Sequence, residues 1–464
     1  MNHDIIVIGA GPAGMAAAVT AAEGGTKVLL LDDQPAPGGQ IYRAIESVDA
    51  NTEQVLGADY MSGRKLTEAF RSQPVDYVSG ATVWQVTEGR EVGYSAGGKA
   101  KLVRAPWIIM AAGAIERPFP IRGWTLPGVM MAGAAQTLLK ASSLAADGAV
   151  FAGSGPLLYL VVHQYLEAGV RVAALLDTTA KSNWKAAISH LPGGLFRWDM
   201  LAKGRRWMKK IRQSGVLMVE GVTDLRVLGE DAATGIAYTT TNGQAAELAA
   251  TNIFLHQGVV PHVNLAMAAG VHHEWNADQL CWCPNTDQWG RTNVDSVVMA
   301  GDGAGIGGAL AAEAAGCLAA LGCLAELGRI ETAERDRRAQ APRVALEREH
   351  KVRPFLDAWF KPAEHFRLPS NETIVCRCEE LTAKDIRDVI DIGIAGPNQL
   401  KSYSRAGMGS CQGRFCGLTV QEIIAGETGR APADVGCYRL RPPIKPIPLE
   451  ELADMEADPP ANED

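Results

Sequence analysis

The chain opens on four consecutive apolar residues, Ile5-Ile6-Val7-Ile8, the pattern of a strand buried on both faces of a parallel sheet. An alanine-rich stretch to about Gly24 predicts a helix, and Lys27–Leu31 a second strand ending at Asp32. The same alternation returns at Val150-Phe151-Ala152, with a helix to Gly169 and a strand Arg171–Leu176 ending at Asp177. Two more apolar runs, Ile108–Ala114 and Val297–Ala304, each lead into a turn rich in glycine and alanine. Residues 181–212 break the pattern, because Trp184, Trp198 and Trp207 alternate with Lys185, Arg197, Lys203, Arg205, Arg206, Lys209, Lys210 and Arg212. This stretch is too charged to span a bilayer and predicts amphipathic helices. They either cover their own domain or dock on a partner subunit or a membrane surface. The mixed Arg and Glu of 329–372 predict an exposed helix and a tether, and the acidic tail from Glu450 predicts disorder.

The turns carry the first chemistry. Gly9-Ala10-Gly11-Pro12-Ala13-Gly14 stands between strand and helix. Its first glycine makes the tight turn, its second lets a pyrophosphate approach the backbone, and its third permits close helix–strand packing. Asp32, eighteen residues after Gly14, is placed for a ribose hydroxyl. The competing reading, a glycine-rich turn without a ligand, leaves this ordered set unexplained. In the second unit, Gly153-Ser154-Gly155-Pro156-Leu157-Leu158, Leu158 stands where the third glycine would be, so a Rossmann fold is expected and its NAD(P) binding is in doubt.

Val297–Ala304 resembles the second flavin fingerprint of the glutathione-reductase-like flavoproteins. That resemblance implies FAD, with Asp302 of Gly301-Asp302 on the ribityl chain. Ala112-Gly113 is similar to the turn by which such chains leave the FAD domain, and Gly38-Gly39-Gln40 to a segment beside the flavin of thioredoxin reductases. No cysteine precedes Cys281, which argues against a dithiol reductase; Cys281 and Cys283 read as packing residues, with a redox or ligand role as the alternative. His256 is either near the flavin or a satisfied structural histidine. The expected fold is α/β, a two-dinucleotide-binding-domain flavoprotein. Its FAD domain is split over 1–115 and 275–328, with a second nucleotide-type domain over 116–274.

Composition narrows the class. At 464 residues there is room for about three domains. A net charge of −8 gives no footprint for nucleic acid. No export signal is apparent before the first strand, so a cytoplasmic protein is expected, with peripheral contact at the inner membrane face as the role open to the Trp-bearing segment. Nine cysteines, an odd number, suit ligands and free thiols better than a disulfide framework. Four fall in two tight pairs, Cys376 with Cys378 and Cys411 with Cys416, the arrangement for a metal or iron–sulfur centre. The segment 373–430 resembles the [2Fe–2S] domain of bacterioferritin-associated ferredoxin; structural zinc and unligated core cysteines are the alternatives.

Gly38–Arg43, Gly123-Trp124-Thr125-Leu126-Pro127-Gly128-Val129, Gly301–Ile306 and Gly409–Cys416 together resemble one family. It comprises the FAD-containing alpha subunits of bacterial multi-subunit dehydrogenases for opines, D-hydroxyproline and proline-type amino acids, with a component of hydrogen cyanide synthase as a relative. The resemblance implies a beta subunit with its own FAD that oxidises the substrate, a small gamma subunit, and a quinone or similar acceptor. It leaves open FMN at a subunit interface. A self-sufficient NAD(P)H-dependent reductase is the competing enzyme.

Overall fold

The computed structural model describes residues 2–87 and 89–457. Its first sheet holds, in spatial order, Val297–Met299, Trp107–Met110, Ile5–Ile8, Val28–Asp32 and Val75–Ser79, all parallel. Successive strand residues point to opposite faces, which explains why no polar position interrupts the first strand. Ile5 and Val7 pack with the helices Pro12–Glu23 and Ala309–Glu326. Ile6 and Ile8 pack with Val83, Val86 and Val92 of an antiparallel sheet on the other side. The helix Ala309–Glu326 is long and apolar enough to cross a membrane, yet it is mostly buried inside the protein, against the first helix.

The second sheet, also parallel, runs Leu217–Glu220, Val172–Asp177, Ala149–Ser154, Ile253–Gln257 and Val129–Met131. An antiparallel pair, Ala114–Glu116 with Val259–Pro261, carries the chain between the two nucleotide-type units. Leu158, which on sequence would crowd its helix against the sheet, is accommodated as a fully buried core residue.

Residues 374–428 form a short hairpin and three helices, Ala383–Asp391, Pro397–Ser404 and Gly417–Thr428, around Val375, Ile386, Leu400, Val420 and Ile424. Three side-chain hydrogen bonds fasten this unit to the body: Trp124 Nε1 to the Ile374 carbonyl at 2.7 Å, Trp282 Nε1 to Gln421 Oε1 at 2.8 Å, and Asn264 Nδ2 to the Gln412 carbonyl at 3.3 Å. A buried ion group adds to them. Glu422 lies 2.6 Å from Arg367 and 4.0 Å from Arg117, while Arg117 also donates to the carbonyls of Gln279 and Leu280 at 2.8 Å. Burial of such charges costs several kcal/mol per ion, so the group fixes orientation more than it adds net stability.

Two expectations need correction. The helix expected within 329–372 is present as Thr332–Trp359, 28 residues long, but it packs on Ala309–Glu326, and the stretch after it is short and holds the helix Glu364–Arg367. The charged residues of the longer helix hide a buried seam of Ala339, Val352 and Phe355, and Trp184 packs edge-on against Phe355 and Trp359. The tail is ordered past Glu450, with a helix Leu449–Ala453 and a parallel pairing of Glu456–Ala457 with Lys101–Leu102; residues 458–464 lie outside the described residues.

Candidate dinucleotide site and cysteine-bearing domain

The first turn is built by backbone-to-backbone approach. A Cβ on Gly14 would lie 1.7 Å from the Gly9 carbonyl oxygen, so the third glycine is required for the helix to seat. Gly11 differs: a Cβ there meets only the Gly39 Cα, at 3.8 Å, leaving the turn open to a ligand. Pro12 is the first residue of the helix, where a missing N–H costs nothing. Ala13 packs against Gly301, whose added Cβ would come within 2.7 Å of the Ala13 Cβ, bringing the two halves of the split domain together at this point.

Asp32 is nine-tenths buried, and burial raises its carboxyl from the ordinary 3.8 to about 6. Backbone N–H groups of Ala10 and Gln34 face it and act to lower it, yet Oδ2 has no partner. A buried carboxylate oxygen left open costs about 1–3 kcal/mol, and a ribose hydroxyl is the donor that this place in a dinucleotide fold supplies. Asp302 Oδ1 accepts from the N–H groups of Gly307 and Gly308, at 2.9 Å each, ahead of the helix Ala309–Glu326. Gly113, at φ +69°, backs this turn: a Cβ on Gly303 would lie 3.4 Å from its N and O. The Ala112 carbonyl accepts from buried His262, whose other ring nitrogen Nε2 is unpartnered. Burial holds that imidazole down at about 4, so it is neutral at physiological pH.

The loop carrying Gly39 and Gln40 is held by a residue that sequence reading missed. Lys140 Nζ donates to the carbonyls of Gln40 and Ile41 at 3.0 and 2.9 Å, and to Gln136 Oε1 at 2.9 Å. Burial, with Arg43 nearby, pushes its ammonium down to about 7. The available signal was that Lys140 is the one charged residue in the otherwise neutral helix Ala132–Ser142.

The second nucleotide-type turn differs in backbone and in mouth: Gly155 stands at φ +124°, where Gly11 stands at −74°. Asp177, the counterpart of Asp32, is saturated: Oδ2 accepts from the Tyr159 hydroxyl at 2.7 Å and Oδ1 from the Thr179 N–H at 2.8 Å. His256 is fully buried and paired to Glu116 at 2.6 Å, and its ring lies 3.1 Å from where a Gly155 Cβ would be. Its role in this structure is structural, under the second glycine turn.

The four C-terminal cysteines assemble from the ends of the domain. Cys376 closes the strand Ile374–Cys376, and Cys416 precedes the helix Gly417–Thr428. The thiols of Cys376 and Cys416 interact, as do those of Cys378 and Cys411, and Cys411 also acts on Cys416. The Cys416 thiol and the N–H groups of Gly407, Glu379 and Cys378 hold Cys376 down at about 6 against burial. Phe415 and Gly413 N–H groups face Cys411. Gly409 is required beside them, since its Cβ would lie 2.2 Å from the Cys378 Cβ. Among the described residues, no three His, Cys, Asp or Glu side chains converge as a preformed metal site. Cys281 and Cys283 lie elsewhere, with sulfurs 4.0 Å apart on the hairpin strand Cys281–Pro284.

The open Asp32 oxygen gives a first pH prediction. The ionised carboxylate is the form that accepts from a ribose, so FAD affinity is expected to be full above about pH 6. Below that it should weaken toward tenfold per pH unit, because binding must then expel one proton. For folding of the apoprotein the sign is opposite: a raised carboxyl favours the native state as pH falls from neutral toward 3.8. Titration of FAD fluorescence across this range checks it. A flat profile, or the same slope in Asp32→Asn, would remove Asp32 from the site.

Residues 3–163 match the pyridine nucleotide-disulphide oxidoreductase family, and residues 370–455 the sarcosine oxidase A3 domain. The opine oxidase A subunit of Rhizobium meliloti is 43% identical, over 98% of this chain and 88% of its own. Hydrogen cyanide synthase subunit HcnB of Pseudomonas aeruginosa is 29% identical, over 98% of this chain and 99% of its own. Among solved structures, L-proline dehydrogenase from P. horikoshii superposes with a TM-score of 0.71 at 18% identity, covering 97% of this chain and 79% of that one, which establishes the shared fold. With its N-terminal match, its glycine cradle and its full-length relatives, the chain is an FAD-dependent oxidoreductase and belongs to the family of opine oxidase A subunits.

Proposed function

We propose that the chain is the electron-transferring alpha subunit of a heteromeric dehydrogenase. In this reading, an opine, D-hydroxyproline or related secondary-amine amino acid is oxidised in a beta subunit with its own FAD. A small gamma subunit completes the assembly, and electrons leave to a quinone or comparable acceptor. The observation that carries the proposal is the asymmetry between the two nucleotide folds. Asp32 keeps an open carboxylate oxygen, whereas Asp177 is closed by Tyr159 and Thr179. A relay needs one working dinucleotide site; a self-sufficient NAD(P)H reductase needs two. The greater identity to the opine oxidase relative than to the cyanide synthase one favours an opine-type substrate.

In this assignment Gly9 and Gly14 shape the turn, Gly11 admits the pyrophosphate, Asp32 takes the ribose, and Asp302 faces the ribityl chain. Lys140 positions the Gly39-Gln40 loop. Bound FAD would supply conversion between two-electron and one-electron transfer. Cys376, Cys378, Cys411 and Cys416 would hold a [2Fe–2S] cluster. Two adjoining thiol pairs suit a binuclear centre with two thiolates on each iron, while a single zinc would draw all four to one point. The backbone N–H groups around Cys376 and Cys411 are the donors that tune such a centre. FMN belongs at the subunit interface in this scheme, outside the sites built by this chain alone. The assembly is assigned to the cytoplasmic side of the membrane.

The test is anaerobic mixing of the FAD-loaded chain with NADH or NADPH, beside mixing with the beta subunit and an opine. Flavin bleaching only in the second case is the expected result. Rapid, saturable bleaching by NAD(P)H alone would overturn the relay in favour of the reductase.

A further inference from the structure

The segment 181–212 folds as three helices, Asn183–Ile188, Leu191–Leu195 and Trp198–Gln213, and the last has two unlike faces. One is anchored: Ile211 is fully buried, and Lys203 and Lys210 pair with Asp59 and Glu167, while Arg212, at the C-terminal end of the opposite face, pairs with Glu220. That face is otherwise free. Trp198, Arg205 and Lys209, spaced by seven and four residues, share it, with Arg206 alongside. Arg205, Arg206 and Lys209 are exposed and make no ion pair among the described residues. The one acid of the segment, Asp199, is already engaged by Arg197 and Arg348.

At the N-terminal end of this face the preceding turn presents large apolar side chains to solvent. Trp198 is 68% exposed, Leu195 58%, Phe196 56% and Ile188 48%. These four fall within eleven consecutive residues, and Lys185 is exposed beside them. Residues 181–212 carry nine basic side chains against one acidic, a surplus of eight in a chain whose total is −8. The rest of the molecule is therefore strongly acidic, and this face is where a polyanion can approach. An apolar wedge with cations beside it matches a bilayer interface, where Trp, Phe and Leu enter the headgroup–acyl boundary and Lys and Arg meet anionic headgroups. A protein interface shares the aromatic and Arg enrichment but is depleted in lysine, so Lys185 and Lys209 beside the wedge, with the segment's net positive charge, favour the bilayer.

We infer that the turn 188–198 and the outer face of the helix Trp198–Gln213 form a docking surface for an anionic phospholipid bilayer. The surface is distinct from the dinucleotide site and does not depend on which substrate the assembly oxidises. Docking there places the chain on the membrane without a spanning segment. Each exposed cation contributes about fivefold to affinity, and the effect is lost within a Debye length at high salt.

The experiment is co-sedimentation of the full chain with phosphatidylglycerol–phosphatidylcholine vesicles and with phosphatidylcholine vesicles alone, followed by Trp fluorescence with brominated lipid as quencher. Binding to the anionic vesicles only, weakening as salt is raised and quenched through Trp198, is expected. Arg205→Glu with Arg206→Glu should weaken it by at least about 25-fold. Phe196→Ser with Trp198→Ser should abolish quenching, in each case with FAD content unchanged. Absence of binding at low salt, equal binding to both vesicles, or unaltered binding by both double variants would overturn the proposal. Loss of co-purification with the beta subunit in a protein that binds no vesicle would assign the face to that subunit and also overturn it.

Discussion

Gly11→Val is expected to yield a folded protein without flavin. A Cβ at Gly11 finds no backbone closer than the Gly39 Cα at 3.8 Å, so the added methyls fit the protein and project into the space a pyrophosphate needs. Affinity for FAD should fall by about 100-fold or more, roughly 2.8 kcal/mol, while the melting temperature of the apoprotein stays near that of wild-type apoprotein. Gly14→Val is the contrasting control. Its Cβ would sit 1.7 Å from the Gly9 carbonyl oxygen, so the helix cannot seat and the protein should fail to fold. Flavin-to-protein absorbance and thermal melts of both variants decide the matter. Full flavin occupancy in Gly11→Val would mean that the dinucleotide does not lie on this turn.

Cys411→Ser is expected to strip iron from the C-terminal domain and leave FAD in place, because the two sites draw on different hydrophobic cores. Wild-type protein purified anaerobically should carry about two irons per chain and give a rhombic one-electron EPR signal after dithionite. The variant should lose both, together with reduction of the terminal acceptor. A small domain whose cysteines close its core also depends on what they bind: Cys376 and Cys416 are buried within it. Its melting transition should therefore fall when the group is lost. Stoichiometric zinc without iron would reject the cluster. Retained electron transfer in a variant shown to lack iron would make the group a structural staple.

Much of the fold was legible because parallel strands buried on both faces leave an unbroken apolar run. Ile5–Ile8, Val28–Leu31 and Val297–Met299 announce themselves by that run, and the glycine spacing between the first two fixes the turn that joins them. The same logic placed the second nucleotide-type unit. The mixed charges announced the helix Thr332–Trp359 but not the contacts that hold it to the body. Its buried residues are sparse, at Ala339, Glu349, Val352 and Phe355; Ala339 is covered by Leu318, Leu321 and Leu324, and Phe355 by Trp184, which lies 171 residues earlier in sequence.

Sequence by itself determined the buried strands that flank the glycine turns, the residues able to cradle a dinucleotide, and the four clustered cysteines, since each depends on local spacing or side-chain chemistry. Only tertiary structure decided which of two similar turns stays open. Asp32 and Asp177 occupy equivalent places after their glycines. What separates them is Tyr159, reaching Asp177 from the intervening helix, and the absence of any donor to Asp32 Oδ2 among the described residues. Likewise only the fold delivers Lys140, a hundred residues from Gln40, to that loop, and only packing divides one basic helix into an anchored face and a free one. Hydrogen-bond saturation and burial are properties of contacts remote in sequence, and no local pattern records them.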